Sequence, residues 1–102
     1  MINIKWTDDA LACASKIYFF YAYDLGLPDI GEKALKTIYG ALSILSNEPE
    51  AGRPAEDLEP EHRELIVKFG KSGFSCVYEV WPEFVLILAI KHQKEIGYKV
   101  PW

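Results

Sequence analysis

The segment that most constrains the fold is residues 84–90 (FVLILAI), in which every side chain is apolar. The run is far too short to cross a bilayer, which takes about 20 residues of helix. A strand with no polar face is expected to be covered on both faces, as the interior strands of sheets are. We therefore predict that residues 84–90 form the central and most buried strand of a sheet, with Leu86 and Leu88 in the core.

Three further segments have the alternating pattern of half-buried strands. Residues 63–69 and 74–81 alternate apolar and polar side chains, and a turn with two glycines at residues 70–73 separates them. A Pro-Glu pair at 82–83 marks a second tight turn before the apolar run. Residues 2–6 alternate in the same way. The pattern predicts an antiparallel meander of three strands, with the first strand of the chain added to it.

Between the first strand and the meander, the apolar period changes to that of helices. Thr7 is a candidate N-cap, and the two acidic residues after it favour the positive end of a helix dipole, so a helix is predicted from about residue 8 to 23. Gly and Pro within residues 26–29 allow the chain to reverse. A second helix then has its apolar stripe as far as Leu45 and is stopped by Pro49. The two helices are predicted to form an antiparallel hairpin.

The predicted order is β-α-α-β-β-β, an α+β fold of two layers in which the meander sheet has the helical hairpin packed on one face. A length of 102 residues suits a single domain over residues 1–102. Residues 50–60 contain two prolines and four acids and are predicted to form a loop. Residues 92–98 fit either a short helix or an extended tail.

Charge and cysteine content exclude several classes of function. The net charge of −4 argues against a protein that coats nucleic acid. Neither a signal peptide nor a membrane span is evident, so a cytoplasmic protein with no membrane partner is expected. Cys13 and Cys76 have no CxxC spacing and are predicted to be reduced packing residues. No phosphate-binding loop, nucleophile elbow or zinc-protease motif is present, so neither metal nor cofactor is expected.

The residues best suited to recognition or chemistry are the polar and basic ones of the C-terminal half, which holds both arginines. Short turns bring the ends of neighbouring strands together, so these residues could line one surface opposite the helices. Alternatively, they are solvent-exposed residues at strand ends that have no function in binding or catalysis. An Arg recognises phosphate or carboxylate in a two-point fashion. A His is a candidate acid or base, or a structural residue bound to a backbone carbonyl. The candidates are Arg53, Arg63, Lys68, Lys71, Lys91, His92, Lys94 and Tyr98.

Five short strings lie on the predicted elements in a distinctive order. They are IKWTDDA at 4–10, EAGRP at 50–54, RELIV at 63–67, VYEV at 77–80 and ILAIKHQ at 87–93. Together they resemble the RelE/ParE superfamily of toxins from bacterial type II toxin-antitoxin systems, and the similarity covers nearly the whole chain. It implies a growth-inhibiting toxin that a cognate antitoxin neutralises.

The resemblance implies one of two targets. RelE-like toxins cleave mRNA on the ribosome with basic residues of the sheet and a C-terminal Tyr or His-Tyr pair, roles that would fall here to Arg63, His92 and Tyr98. ParE-like toxins share the fold and inhibit DNA gyrase, and His92 followed by Gln93 is similar to the end of their last strand. The resemblance thus adds Gln93 to the residues expected to bind the target. Glu79 stands where the nuclease string has Arg, and the net charge is negative. Both features favour the gyrase inhibitor.

Two alternatives stay open at this point. One is the ribosome-dependent mRNA endonuclease, and the other is a non-toxic interaction module on the same fold, whose exposed aromatic residues serve an oligomer interface. A neighbouring reading frame for a small acidic protein would favour a toxin over a module. The sequence leaves open whether the protein forms a homodimer or a toxin-antitoxin hetero-oligomer.

Overall fold

The computed structural model describes residues 1–55 and 61–93 and confirms the predicted α+β fold. Its elements are β1 (Asn3–Trp6), α1 (Asp8–Phe19), a π-helical turn (Phe20–Asp24), α2 (Pro28–Ser43), a 3-10 turn (Ile44–Ser46), β2 (Arg53–Pro54), β3 (His62–Phe69), β4 (Ser72–Val80) and β5 (Phe84–His92). The two-residue strand β2 lies within the predicted loop. The other strands and both helices are the predicted ones, with ends shifted by a few residues.

The strands form one mixed sheet in the order β1-β5-β4-β3-β2. β1 pairs with β5 in parallel, whereas the other neighbours are antiparallel. The prediction that residues 84–90 form the central strand is wrong by one position, because β2 extends the far edge and puts β4 in the centre. β4 is also the most buried strand; its buried residues are Gly73, Phe74, Ser75, Cys76 and Tyr78.

The placement of Leu86 and Leu88 in the core is also wrong, since both are only half-buried. The buried side chains of β5 are Val85, Ile87 and Ile90. Ile87 and Ile90 are three residues apart, whereas residues on one face of a regular strand are an even number apart. The difference arises because the register shifts: Tyr78 pairs with Ile87, but Val77 pairs with Ala89. Leu88 is therefore the extra residue of a β-bulge, which changes the face to which later residues belong.

The helical layer packs on the sheet through small and branched side chains, including Ala10, Ala14 and Ile17 of α1. Thr7 caps α1 as predicted, since its hydroxyl oxygen accepts a hydrogen bond from the Ala10 amide (3.0 Å). The same hydroxyl group lies 3.0 Å from the Ile87 carbonyl oxygen, to which it donates. Thr7 thus fixes the start of the helix to β5. Among the described residues, no helix has the length and apolar character needed to cross a membrane.

The two cysteines are free thiols in different surroundings. Cys76 is fully buried in the core, and burial, followed by the nearby charge of Glu64 and by Cys13, raises the pKa of its thiol to about 12. Cys13 is half-buried on α1. Because the thiolate is the reactive form, iodoacetamide should label Cys13 in the native protein and leave Cys76 unmodified until the chain unfolds. Peptide mass spectrometry after a timed pulse distinguishes the two; labelling of both at equal rates would contradict the buried placement of Cys76.

Candidate functional site

The face of the sheet turned away from the helices, called here the open face, holds most of the polar strand residues. Phe74, Cys76 and Tyr78 of β4 lie in the core, so alternate residues belong to the other face. Cross-strand pairing then arranges the open face in rows. Its members are His62, Glu64, Ile66 and Lys68 of β3, Gly73, Ser75, Val77 and Glu79 of β4, and Leu86, Ala89 and Lys91 of β5.

One end of the open face is basic. Lys68 is exposed and pairs with Gly73, whose carbonyl oxygen accepts a hydrogen bond from the Gln93 amide (2.9 Å). Lys91 lies one row further along, opposite Ser75, and Lys71 is exposed in the turn between β3 and β4. The structure thus brings four predicted target-binding residues together as a basic end, defined by Lys68, Lys71, Lys91 and Gln93.

The middle of the open face holds an ion pair. Arg53 of β2 is opposite Glu64 and donates two hydrogen bonds to its Oε1, from Nε (3.1 Å) and Nη2 (3.0 Å). The Ser75 hydroxyl donates to the other carboxylate oxygen. Burial alone would raise the pKa of Glu64, but the hydrogen bonds from Ser75 and Arg53, with the charges of Arg53 and Lys91, hold it below its usual value. The carboxylate therefore stays ionised and engages Arg53, a predicted target-binding residue.

The other end of the open face combines a His-Glu pair with aromatic rings. His62 and Glu79 are directly opposite each other, with Nε2 and Oε2 2.8 Å apart. The Trp81 indole donates to Oε1 of Glu79 (3.0 Å), and its ring stacks on Phe84 at 5.8 Å between centroids. The ammonium of Lys5 lies 4.6 Å from the centroid of the Phe84 ring. Sequence reasoning missed this cluster, because the residues meet only through strand register.

Arg63 lies on the core side of β3, opposite Tyr78. Its Nη2 donates to the carbonyl oxygens of Glu50 (3.1 Å) and Gly52, and the Gly52 amide donates to the Tyr78 hydroxyl (2.9 Å). Three of the five sequence strings meet at this point, called here the Gly52 anchor (Gly52, Arg63 and Tyr78). Arg63 was predicted to bind a target, but in the structure its guanidinium holds the loop before β2.

His92 is also on the core side, opposite Phe74, with the two rings edge to face at 5.6 Å between centroids. Arg63 and His92 therefore pair with β4 residues that are four positions apart, and they do so from the two opposite edges of that strand. Four positions correspond to about 13 Å along the strand, before the distance across it is added. The two described members of the predicted catalytic set are therefore not brought together. Its third member, Tyr98, lies outside the described residues.

Comparison with known proteins agrees with this fold. The family model for the ParE toxin of the type II toxin-antitoxin system parDE matches residues 4–97. A structure of the chromosomal ParDE TA system from P. aeruginosa is 30% identical, with a TM-score of 0.77 over 92% of this chain and 98% of that one. The intact RelBE toxin-antitoxin complex of E. coli shares the fold at 16% identity, with a TM-score of 0.65 over 94% of this chain and 100% of the other.

No curated protein sequence matches the chain. The family match nevertheless spans most of the chain, and it confirms the resemblance to RelE/ParE toxins inferred from the sequence strings. The chain belongs to the ParE toxin family of type II toxin-antitoxin systems.

Proposed function

We propose that this protein arrests growth by binding DNA gyrase, that it does so without cleaving RNA, and that a cognate antitoxin neutralises it. The observation that carries the proposal is the placement of Arg63 and His92. Cleavage of a phosphodiester needs a proton-transfer group and a cation within reach of the same phosphate. The wide separation of the two residues along the sheet, and the use of Arg63 in the Gly52 anchor, leave them unsuited to that shared task.

The surroundings of the other imidazole also argue against a nuclease. His62 is paired with Glu79, and Glu61 precedes it in the chain. Two carboxylates beside an imidazole repel a phosphate and stabilise a cation instead. The described part of the open face therefore favours contact with a protein over chemistry on RNA.

The basic end is the surface we assign to gyrase. Lys68 and Lys71 are exposed, next to the partly buried Lys91, in a chain whose net charge is −4. A local positive surface on an acidic protein suits an acidic patch of a protein partner, since rim charges steer association and fix orientation. The closer of the two structural comparisons, to a ParDE system, supports the same branch.

A cognate antitoxin is supported by the ParDE structure at 30% identity, which is of a toxin-antitoxin system. The outer side of the helical layer offers a surface for it, because Phe19 and Tyr23, four residues apart and with ring centroids 5.3 Å apart, are 50% and 72% exposed, and Leu11 of the same helix is 47% exposed. Residues four apart lie on one side of a helix. If the antitoxin is a small acidic protein, long-range electrostatic attraction to this chain, whose net charge is −4, is weak, and an apolar contact of this kind does not depend on it.

The target is tested with the purified full chain on two substrates. We expect inhibition of DNA supercoiling by gyrase, relieved by the protein encoded next to the toxin gene, and no cleavage of mRNA on purified ribosomes. His92→Ala should weaken gyrase inhibition only partly, as the loss of one binding contact does, and should not abolish it. Specific cleavage of ribosome-bound mRNA that is lost in His92→Ala would contradict the proposal.

The assigned surface is tested by paired charge reversals. Lys68→Glu with Lys71→Glu should raise the concentration needed for half-inhibition of gyrase by about 10- to 100-fold, the effect of losing about 1–3 kcal/mol of contact energy. Lys33→Glu with Lys36→Glu, both exposed on α2, makes the same change of charge on the helical layer and should leave inhibition near wild type. Equal losses in the two double variants would show that net charge, and not the basic end, matters.

A further inference from the structure

We propose that Glu61, His62 and Glu79 form a binding site for one divalent transition-metal ion of the Zn²⁺ class. The ligand atoms of the three side chains all lie within 4.8 Å of one another. The site is at the end of the open face away from the basic end, where β3 begins and β4 approaches its last residue. It is separate from the surface assigned to gyrase and does not rest on that assignment.

The strand register makes this cluster compact. His62 and Glu79 are a directly opposed pair, 2.8 Å apart between Nε2 and Oε2, and each side chain is 19% exposed. Glu61 is exposed and lies one residue before β3. Zn²⁺ binds imidazole nitrogen and carboxylate oxygen at about 2.0–2.2 Å, which places neighbouring ligand atoms about 3.3–3.6 Å apart in a tetrahedral site. Since the three donors already lie within 4.8 Å of one another, side-chain rotations would bring them to that spacing, with water as the fourth ligand of the proposed site.

The surrounding residues orient the Glu79 ligand. The Trp81 indole donates to Oε1 of Glu79, which leaves Oε2 directed at His62. Metal-binding carboxylates are commonly held by a hydrogen bond of this kind. Nδ1 of His62 is buried and has no hydrogen-bond partner among the described residues, so the polar contact that the structure gives this ring is the one with Glu79. The stack of Trp81 on Phe84 in turn holds the indole in place.

The donor set decides the class of metal. One imidazole with two carboxylates suits Zn²⁺, Co²⁺ or Ni²⁺, whereas Mg²⁺ and Ca²⁺ prefer oxygen ligands alone. A doubly charged ion also offsets the two carboxylates that flank His62. An ordinary His-Glu ion pair accounts for the 2.8 Å contact but gives no role to Glu61.

The test is a titration of the reduced full chain with Co²⁺ and Zn²⁺, followed by absorbance and thermal unfolding. We expect one equivalent of Co²⁺ with d–d bands and no thiolate charge-transfer band, and displacement of Co²⁺ by Zn²⁺. At a free Zn²⁺ concentration 100 times the Kd, the Tm should rise by about 10–20 °C, and Mg²⁺ should have no effect. A thiolate band, or the absence of binding at 0.1 mM, which is roughly the weak end for a useful protein site, would overturn the proposal.

Matched variants locate the ion. His62→Gln and Glu61→Gln should each weaken Co²⁺ binding by at least about tenfold. Glu61 is exposed, so its substitution tests the site without disturbing the sheet. His92→Gln removes the other of the two histidines and should bind Co²⁺ as the wild type does. Binding that survives in His62→Gln, or that is lost in His92→Gln alone, would place the ion elsewhere and reject the site.

Discussion

Gly52→Ala is expected to destabilise the protein by about 3–5 kcal/mol. A Cβ added at residue 52 would lie 2.6 Å from the Glu64 carbonyl oxygen and 2.6 Å from the Tyr78 hydroxyl. Overpacking costs about 1–3 kcal/mol, and more where the obstacle is a backbone atom that cannot rotate away. Any shift that relieves the clash also breaks the bond from the Gly52 amide to Tyr78 and leaves a buried group unpaired, at a further cost of about 1–3 kcal/mol.

Gly40→Ala is the matched control, since the same methyl group there meets no atom within 4 Å. Gly40 is exposed within α2, so the substitution should stabilise the protein by about 0.5–1 kcal/mol. Urea unfolding followed by circular dichroism gives both free energies of unfolding. A loss of less than about 1 kcal/mol in Gly52→Ala would show that the loop adjusts easily and that the Gly52 anchor is not rigid.

The Gly52 anchor shows why the sequence predicted the fold without predicting the hydrogen bonds of Arg63. Periodicity and turn residues report on element type, and both helices and the three long strands appeared where those patterns predicted. The hydrogen bonds of Arg63 go to the backbone carbonyls of Glu50 and Gly52, and a carbonyl has no signature in the sequence. An Arg that holds a loop and an Arg that binds a target therefore look the same before the chain is folded.

The candidate site also has one part that the sequence predicted and one part that it did not. The basic end was predictable from residue type, because Lys68 is close to the end of β3 and Lys71 lies in the short turn that joins β3 to β4. The pairing of His62 with Glu79 was not, since it depends on the register of two long strands, and a slip of one residue would put either side chain on the core face. The two residues are 17 positions apart in the chain, so no local sequence pattern links them.

The burial of β5 differs most from what its sequence predicted. Ile87→Ala is expected to cost about 2–5 kcal/mol, because the Ile87 side chain is fully buried and its removal leaves a cavity beside Tyr78. Leu88→Ala removes a side chain of equal size that is only half-buried, and should cost about 1 kcal/mol. The two residues are adjacent, so each variant is the control for the other.

The contrast between these neighbours tests the bulge directly. In a regular strand covered on both faces, Ile87 and Leu88 would be equally buried and their substitutions equally costly. The shift of register at Val77 and Tyr78 leaves Leu88 without a partner of its own and puts Ile87 and Ile90, three residues apart, in the same core. Denaturant unfolding of Ile90→Ala should therefore resemble Ile87→Ala. Equal losses in Leu88→Ala and Ile87→Ala would mean that β5 is covered on both faces after all, as its uninterrupted apolar sequence predicts.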